Sequence, residues 1–190
     1  DAASNTSSRS FSITSRAIVS ESFTSSGTFS VPAGITSADV LVVAGAGGGG
    51  FEGGGGGAGG LIFFPSYPIT PSGTITVTVG CGGAGAPAPA GQGGLGSNGQ
   101  DTVFGSPGDP GLGQGGVLTA KGGGYGGTKN HPNTTTGRHG NSGGSGGGAA
   151  RDMTNPGGGA EQPTQPGNSG SYGFGNPGGL APASSARSAA

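Results

Sequence analysis

Apolar and polar residues alternate with a period of two over much of the first 79 positions. The pattern is visible in Ser10-Phe-Ser-Ile-Thr14, from Ser22-Phe23 on through Thr28-Phe-Ser-Val31, and most cleanly in Thr74-Ile-Thr-Val-Thr-Val79. Such alternation marks strands with one buried face and puts Ile75, Val77 and Val79 on the same side. Pro32-Ala-Gly34 reads as a turn. The apolar run from Ala38 to Ala44 predicts a strand buried on both faces, and Leu61-Ile-Phe-Phe64 a short strand closed by Pro65 and Pro68. No window carries an i, i+3, i+4 apolar stripe free of Gly and Pro, so no appreciable α-helix is expected.

Beyond residue 80 the pattern changes. Apolar runs of strand length almost vanish, apart from Gly116-Val-Leu-Thr119, and glycine takes over. It recurs in threes at Gly93, Gly96 and Gly99, at Gly137, Gly140, Gly143 and Gly146, and before residue 80 at Gly47, Gly50, Gly53, Gly56 and Gly59. A glycine at every third position suits an extended threefold helix that passes close to neighbouring backbones. The registers break and restart, which excludes the single uninterrupted register of collagen. The chain divides into a β-rich region with an N-terminal arm (1–79), a glycine-rich region (80–179) and a C-terminal tail (180–190). The expected fold class is all-β plus polyglycine II, a β-rich N-terminal half followed by a bundle of short rods. In such a bundle the core is backbone, and glycine is the steric condition for the rods to exchange N–H and C=O bonds.

Composition sharpens this. The 190 residues hold 51 glycines and 14 prolines, a content that would suggest disorder if the apolar residues were not blocked into strands. Charged residues are 8% and the net charge is −1, too sparse and too balanced for a nucleic-acid or anionic-membrane footprint. No run of apolar residues is long enough to insert in a membrane as a helix. A single cysteine, Cys81, allows no disulfide within the chain.

Catalytic signals are weak. Gly45-Ala-Gly-Gly-Gly-Gly50 has the G-x-G-x-x-G spacing after a strand, but Phe51-Glu-Gly-Gly-Gly-Gly-Gly-Ala58 cannot supply the helix that a dinucleotide site requires. Lys121 and Lys129 lack the Ser or Thr of a phosphate loop. Cys81 has no histidine near it in sequence, His131 and His139 have no third metal ligand, and Glu52, Asp101, Asp109, Asp152 and Glu161 lie in turn or glycine contexts. The expectation is a non-enzyme without cofactor or metal.

The stretch Gly27-Thr-Phe-Ser-Val-Pro-Ala-Gly-Ile-Thr-Ser-Ala-Asp-Val-Leu-Val-Val-Ala-Gly45, running into polyglycine, resembles the glycine-rich domain of many tailed-phage and environmental viral proteins. Gly60-Leu-Ile-Phe-Phe-Pro65, Thr74 to Gly80 and Thr119-Ala-Lys-Gly-Gly-Gly124 are similar to it as well. The resemblance covers roughly residues 23–179 and implies a virion protein of the tail-fibre or fibre-tip kind. In the related adhesins of T-even-like phages, polyglycine II rods pack together and the loops between them recognise host surfaces. The β-rich front half departs from those adhesins.

On that reading the segments where glycine thins out are the candidate recognition loops. One is residues 128–136 with its flanks, contributing Tyr125, Lys129, Asn130, His131, Asn133, Arg138 and His139. A second contributes Arg151 and Asp152, a third Gln162, and Tyr172 follows in the glycine register Gly167, Gly170 and Gly173. Such side chains stack on sugar rings and hydrogen-bond hydroxyls. The implied partners are copies of the chain or other virion proteins, and a host surface glycan or outer-membrane protein. The alternative is a self-assembling subunit, a capsid decoration or an extracellular or cell-surface filament, with no receptor. Ice binding ranks last, because the triplets offer no regular Thr or Ala array. The arms at 2–10 and 181–190 are expected to pack on neighbouring subunits. Asp1 is equally compatible with a processed leader and with a fragment boundary.

Overall fold

The computed structural model describes residues 19–87, 94–129, 137–150, 156–162 and 174–181. The alternating segment 10–14 lies outside them. Among the described residues there are six strands and no helix: β1 (Gly27–Ser30), β2 (Ser37–Val43), β3 (Leu61–Pro68), β4 (Thr74–Thr78), β5 (Thr102–Phe104) and β6 (Leu118–Ala120). They form two antiparallel sheets, one of four strands in the order β1-β4-β5-β6 and one of two, β2-β3.

The period-two reading holds for β4, where Ile75 and Val77 are buried between exposed threonines, with Val79 packed beside them. β2 differs from its expectation. Val40 and Val42 are buried, but Leu41 and Val43 are 62% and 52% exposed. Only one face of the small sheet meets the large one, so half of an apolar run is left outside it. β3 also differs, for it does not stop at Pro65 but continues to Pro68. The register of β2 on β3 shifts between Ala38 and Val40, and Ser66 sits at φ 54° with its N–H donating to Asp39 Oδ1 at 2.7 Å. A bulge of this kind accommodates a proline that a regular ladder would reject.

The two inner faces enclose one apolar cluster, centred on Ile62, Tyr67, Ile75 and Leu118, all fully buried. Tyr67 stacks edge-on with Phe64 and Phe104, at centroid distances of 5.1 and 5.5 Å. Its hydroxyl donates to Gly116 O.

Outside the strands, extended glycine-rich segments bond to one another mainly through backbone. Gly54 donates to Gly127 O at 2.8 Å, Gly57 to Gly124 O at 2.8 Å and Gly60 to Lys121 O at 2.7 Å. The partners advance by three residues on each side, whereas a β ladder repeats every two. The same step recurs where Gly123 and Gly126 donate to Gly45 and Gly48, where Gly124 and Gly127 donate to Ser145 and Gly148, and where Asn141 and Gly144 donate to Tyr125 and Gly122.

Successive N–H groups of residues 122–127 therefore point in three directions. Gly122 and Tyr125 reach the side-chain oxygens of Asp101 and Asn98, at 2.8 and 2.9 Å. Gly123 and Gly126 reach one backbone neighbour, and Gly124 and Gly127 another. Close packing follows. A Cβ on Gly47 would sit 2.1 Å from Gly124 O, and one on Gly123 would sit 2.1 Å from Gly57 O. These bonds, together with the pairing of β4 with β5, tie residues before position 79 to residues after position 80.

Candidate functional site

The hydrogen-bond register gives the glycine-rich segments two ends. Gly60 and Lys121, which pair with each other, adjoin β3 and β6, so this end is strand-proximal. Gly54 and Gly127 mark the other, distal end. Residues 137–144 run back from it, because Asn141 meets Tyr125 and Gly144 meets Gly122. Residues 145–150 return towards it, parallel to residues 124–127. The turn at residues 50–54 and the connections leaving at residues 129 and 150 therefore share the distal end.

Thr128 ties that end together. It is fully buried. Its hydroxyl donates to Gly94 O at 2.9 Å and accepts the Phe51 N–H at 3.2 Å, while its own N–H donates to Gly137 O at 2.8 Å. Lys129 N–H donates to Phe51 O at 3.1 Å, and Lys129 Nζ pairs with Glu52 Oε2 at 2.9 Å. Ala150 N–H donates to Arg138 O at 2.8 Å, bringing the third connection alongside. A buried hydroxyl that both donates and accepts fixes the spacing of the chains it joins.

Of the residues singled out in the sequence, the fold brings Lys129 and Arg138 together at this end, with half-buried His139 following Arg138. Tyr125 lies within a glycine-rich segment, its N–H held by Asn98 Oδ1 and its carbonyl by Asn141 N–H. Gln162 lies at the opposite end. Its Oε1 accepts the Lys121 N–H at 2.9 Å and its Nε2 donates to Thr119 O at 3.3 Å, so its amide fastens residues 156–162 to the end of β6. Asn130, His131, Asn133, Arg151, Asp152 and Tyr172 lie outside the described residues. Thr128 is the residue that the sequence reading misses as an organising group. A threonine directly after a Gly-Gly pair, where the glycine-rich sequence gives way to a polar one, is the signal that marks it.

The G-x-G-x-x-G stretch offers no free phosphate cradle. The N–H groups of Gly45, Gly47, Gly48 and Gly50 are spent on Gln100, Gly57, Ser97 and Gly54. The carboxylates are likewise engaged in the scaffold. Asp101 is partly buried, which favours its neutral form, yet the hydrogen bond and charge of Lys121 at 2.6 Å and the Gly122 N–H prevail and hold its pKa below the usual carboxylate value. The Asp109 pKa is lowered by the Thr76 N–H and, against slight desolvation, by the Ser106 N–H and the Thr76 hydroxyl. That carboxylate pins the turn before Gly111 to β4. Among the described residues no three His, Cys, Asp or Glu side chains gather as a metal site.

No curated protein and no solved structure matches the chain. The family model described as glycine-rich domain matches residues 23–189, which takes in both sheets, every described glycine-rich segment and the distal end. The chain belongs to the glycine-rich domain family.

Proposed function

We propose that the glycine-rich segments are polyglycine II rods and that the protein is a non-enzymatic structural and adhesive component of a virion, of the tail-fibre or fibre-tip type. The rods are a rigid platform, and the connections at their distal end recognise a host surface glycan or outer-membrane protein. The observation that carries this reading is the convergence of three connections around Thr128 and the Lys129–Glu52 pair. A lattice of backbone bonds holds loops rigidly while leaving their side chains free to vary, which is the arrangement that recognition sites use. Resemblance of residues 27–45 to the viral glycine-rich domains supports the placement in a virion.

A second reading, a self-assembling subunit with no receptor, draws on the outer face of β2 and β3. There Leu41 lies opposite Phe63 and Val43 opposite Leu61, with Leu41, Val43 and Phe63 exposed. Cryo-electron microscopy of the native assembly separates the two. Adhesion predicts residues 129–137 and 150–156 free at an outer tip. Finding them packed against identical subunits would replace adhesion by assembly.

A further inference from the structure

Asn98-Gly99 is the one Asn-Gly pair in the sequence. In such a pair the glycine nitrogen reaches the asparagine side chain with no Cβ of its own in the way. The Gly99 nitrogen gives its proton to solvent base and bonds to Asn98 Cγ, while the Cγ–Nδ2 bond breaks and Nδ2 leaves as ammonia. Water then opens the resulting succinimide at either of its two carbonyls. One product is aspartate. The other is isoaspartate, whose main chain runs through Cγ and is longer by one carbon. Asn98 is exposed, which by itself would mark the pair as reactive.

The fold requires both residues and restrains both. A Cβ at Gly99 would sit 2.0 Å from Gly45 O, so packing demands glycine there. Asn98 Oδ1 accepts the Tyr125 N–H at 2.9 Å and Asn141 Nδ2 at 3.0 Å. Asp101 Oδ1, three residues on, accepts the Gly122 N–H at 2.8 Å, so the two side chains continue the three-residue step along residues 122–125. The Gly99 N–H, the nucleophile of the reaction, donates to Gly123 O at 2.9 Å. On either side of the pair, Ser97 and Gln100 donate to Ala84 O and Cys81 O and accept from Gly48 and Gly45.

We propose that Asn98-Gly99 is a self-modification site gated by the fold. While residues 97–101 lie in the lattice, the Asn98 side chain and the Gly99 nitrogen are held by separate partners and do not turn to meet each other. Local opening releases both, and the reaction rate follows the population of the open form. Conversion to aspartate is tolerated, because a carboxylate accepts the same two hydrogen bonds. Conversion to isoaspartate is not. Ser97 and Gln100 are pinned to Ala84 and Cys81 at a fixed spacing, and an added main-chain carbon between them breaks that match. Isoaspartate at this position therefore makes an opening of the lattice permanent.

The test is peptide mapping by mass spectrometry of the full chain kept in mildly alkaline buffer, both folded and in denaturing urea. Loss of ammonia at Asn98 is expected to be at least about tenfold slower in the folded chain, despite the exposure of the side chain. Equal rates in the two conditions overturn the proposal. Folded molecules that do convert are separated by chromatography, and amide hydrogen exchange is read at Gly99 and Gln100. Exchange is expected to stay slow in the aspartate form, as in an Asn98→Asp variant, and to be fast in the isoaspartate form. Slow exchange in the isoaspartate form, or fast exchange in Asn98→Asp, equally overturns it.

Discussion

The Thr128 hydroxyl donates to Gly94 O at 2.9 Å from a residue with no exposed surface. It accepts the Phe51 N–H in the same place, so removing the oxygen strands a donor and an acceptor at once. Thr128→Val keeps the shape and is expected to cost about 1–3 kcal/mol. Thr128→Ser, which keeps the oxygen, is expected to cost less. Urea unfolding of the three proteins checks this, read as a midpoint shift at constant slope.

Backbone approach, rather than turn geometry, sets the need for glycine inside the glycine-rich segments. A Cβ at Gly123 would meet Gly57 O at 2.1 Å and Ala58 O at 2.7 Å, both backbone atoms that cannot swing aside. Gly123→Ala is expected to destabilise by about 1–3 kcal/mol or more. Gly55 meets nothing within 4 Å, and Gly55→Ala is expected to be neutral, or stabilising by roughly 0.4–1 kcal/mol through the unfolded chain. Thermal unfolding of the pair measures the difference.

Tyr67 gives the protein an alkaline limit. Burial pushes its pKa up to about 12, so the fold holds the neutral phenol. Its stabilisation is present in full below the unfolded value of about 10 and is lost as pH rises to and through the folded value. Stability measured from pH 9 to pH 12 is expected to fall, and Tyr67→Phe is expected to flatten that part of the profile. At neutral pH the same variant should cost about 1 kcal/mol for the bond to Gly116 O.

Asp101 acts at the other end of the pH scale. Its pKa is lowered in the fold, so its contribution is present above the unfolded value of about 3.9 and disappears as pH falls through the folded one. Asp101→Asn is expected to be less stable at pH 7 and to show a shallower loss of stability between pH 5 and 2. High salt is expected to shrink the Lys121 part of the effect, since both side chains are partly exposed.

The strands of the first half are legible because their apolar residues repeat every two positions. Ile75 and Val77 announce β4, and Pro32-Ala-Gly34 announces a turn in which Gly34 takes φ 77°. β5 is harder to see. Thr102-Val-Phe104 is three residues long and owes its strand state to pairing with β4 and β6, which are distant in sequence. The one-sided burial of β2 is also a tertiary outcome, because nothing in Leu41 or Val43 says that only the opposite face of the small sheet meets the large one.

The glycine triplets signal close backbone approach but carry no address. Any run spaced by three pairs sterically with any other, so only the folded chain says that residues 54–60 lie on 121–127. The candidate recognition residues divide for the same reason. Lys129 and Arg138 share the distal end because the Thr128 N–H donates to Gly137 O. Gln162 has the composition of a loop, yet its amide closes the opposite end against Lys121 and Thr119.

The central claim is that a backbone lattice stepping by three residues holds the distal end in place. Scalar couplings across hydrogen bonds, measured by nuclear magnetic resonance on the labelled full chain, test it most directly. The account predicts couplings from Gly54 N–H to Gly127 C=O, from Gly57 to Gly124 and from Gly60 to Lys121, with the Gly123 and Gly126 amides coupled to Gly45 and Gly48 instead. Couplings that advance by two residues along the same pair of segments, or none between them, would contradict it.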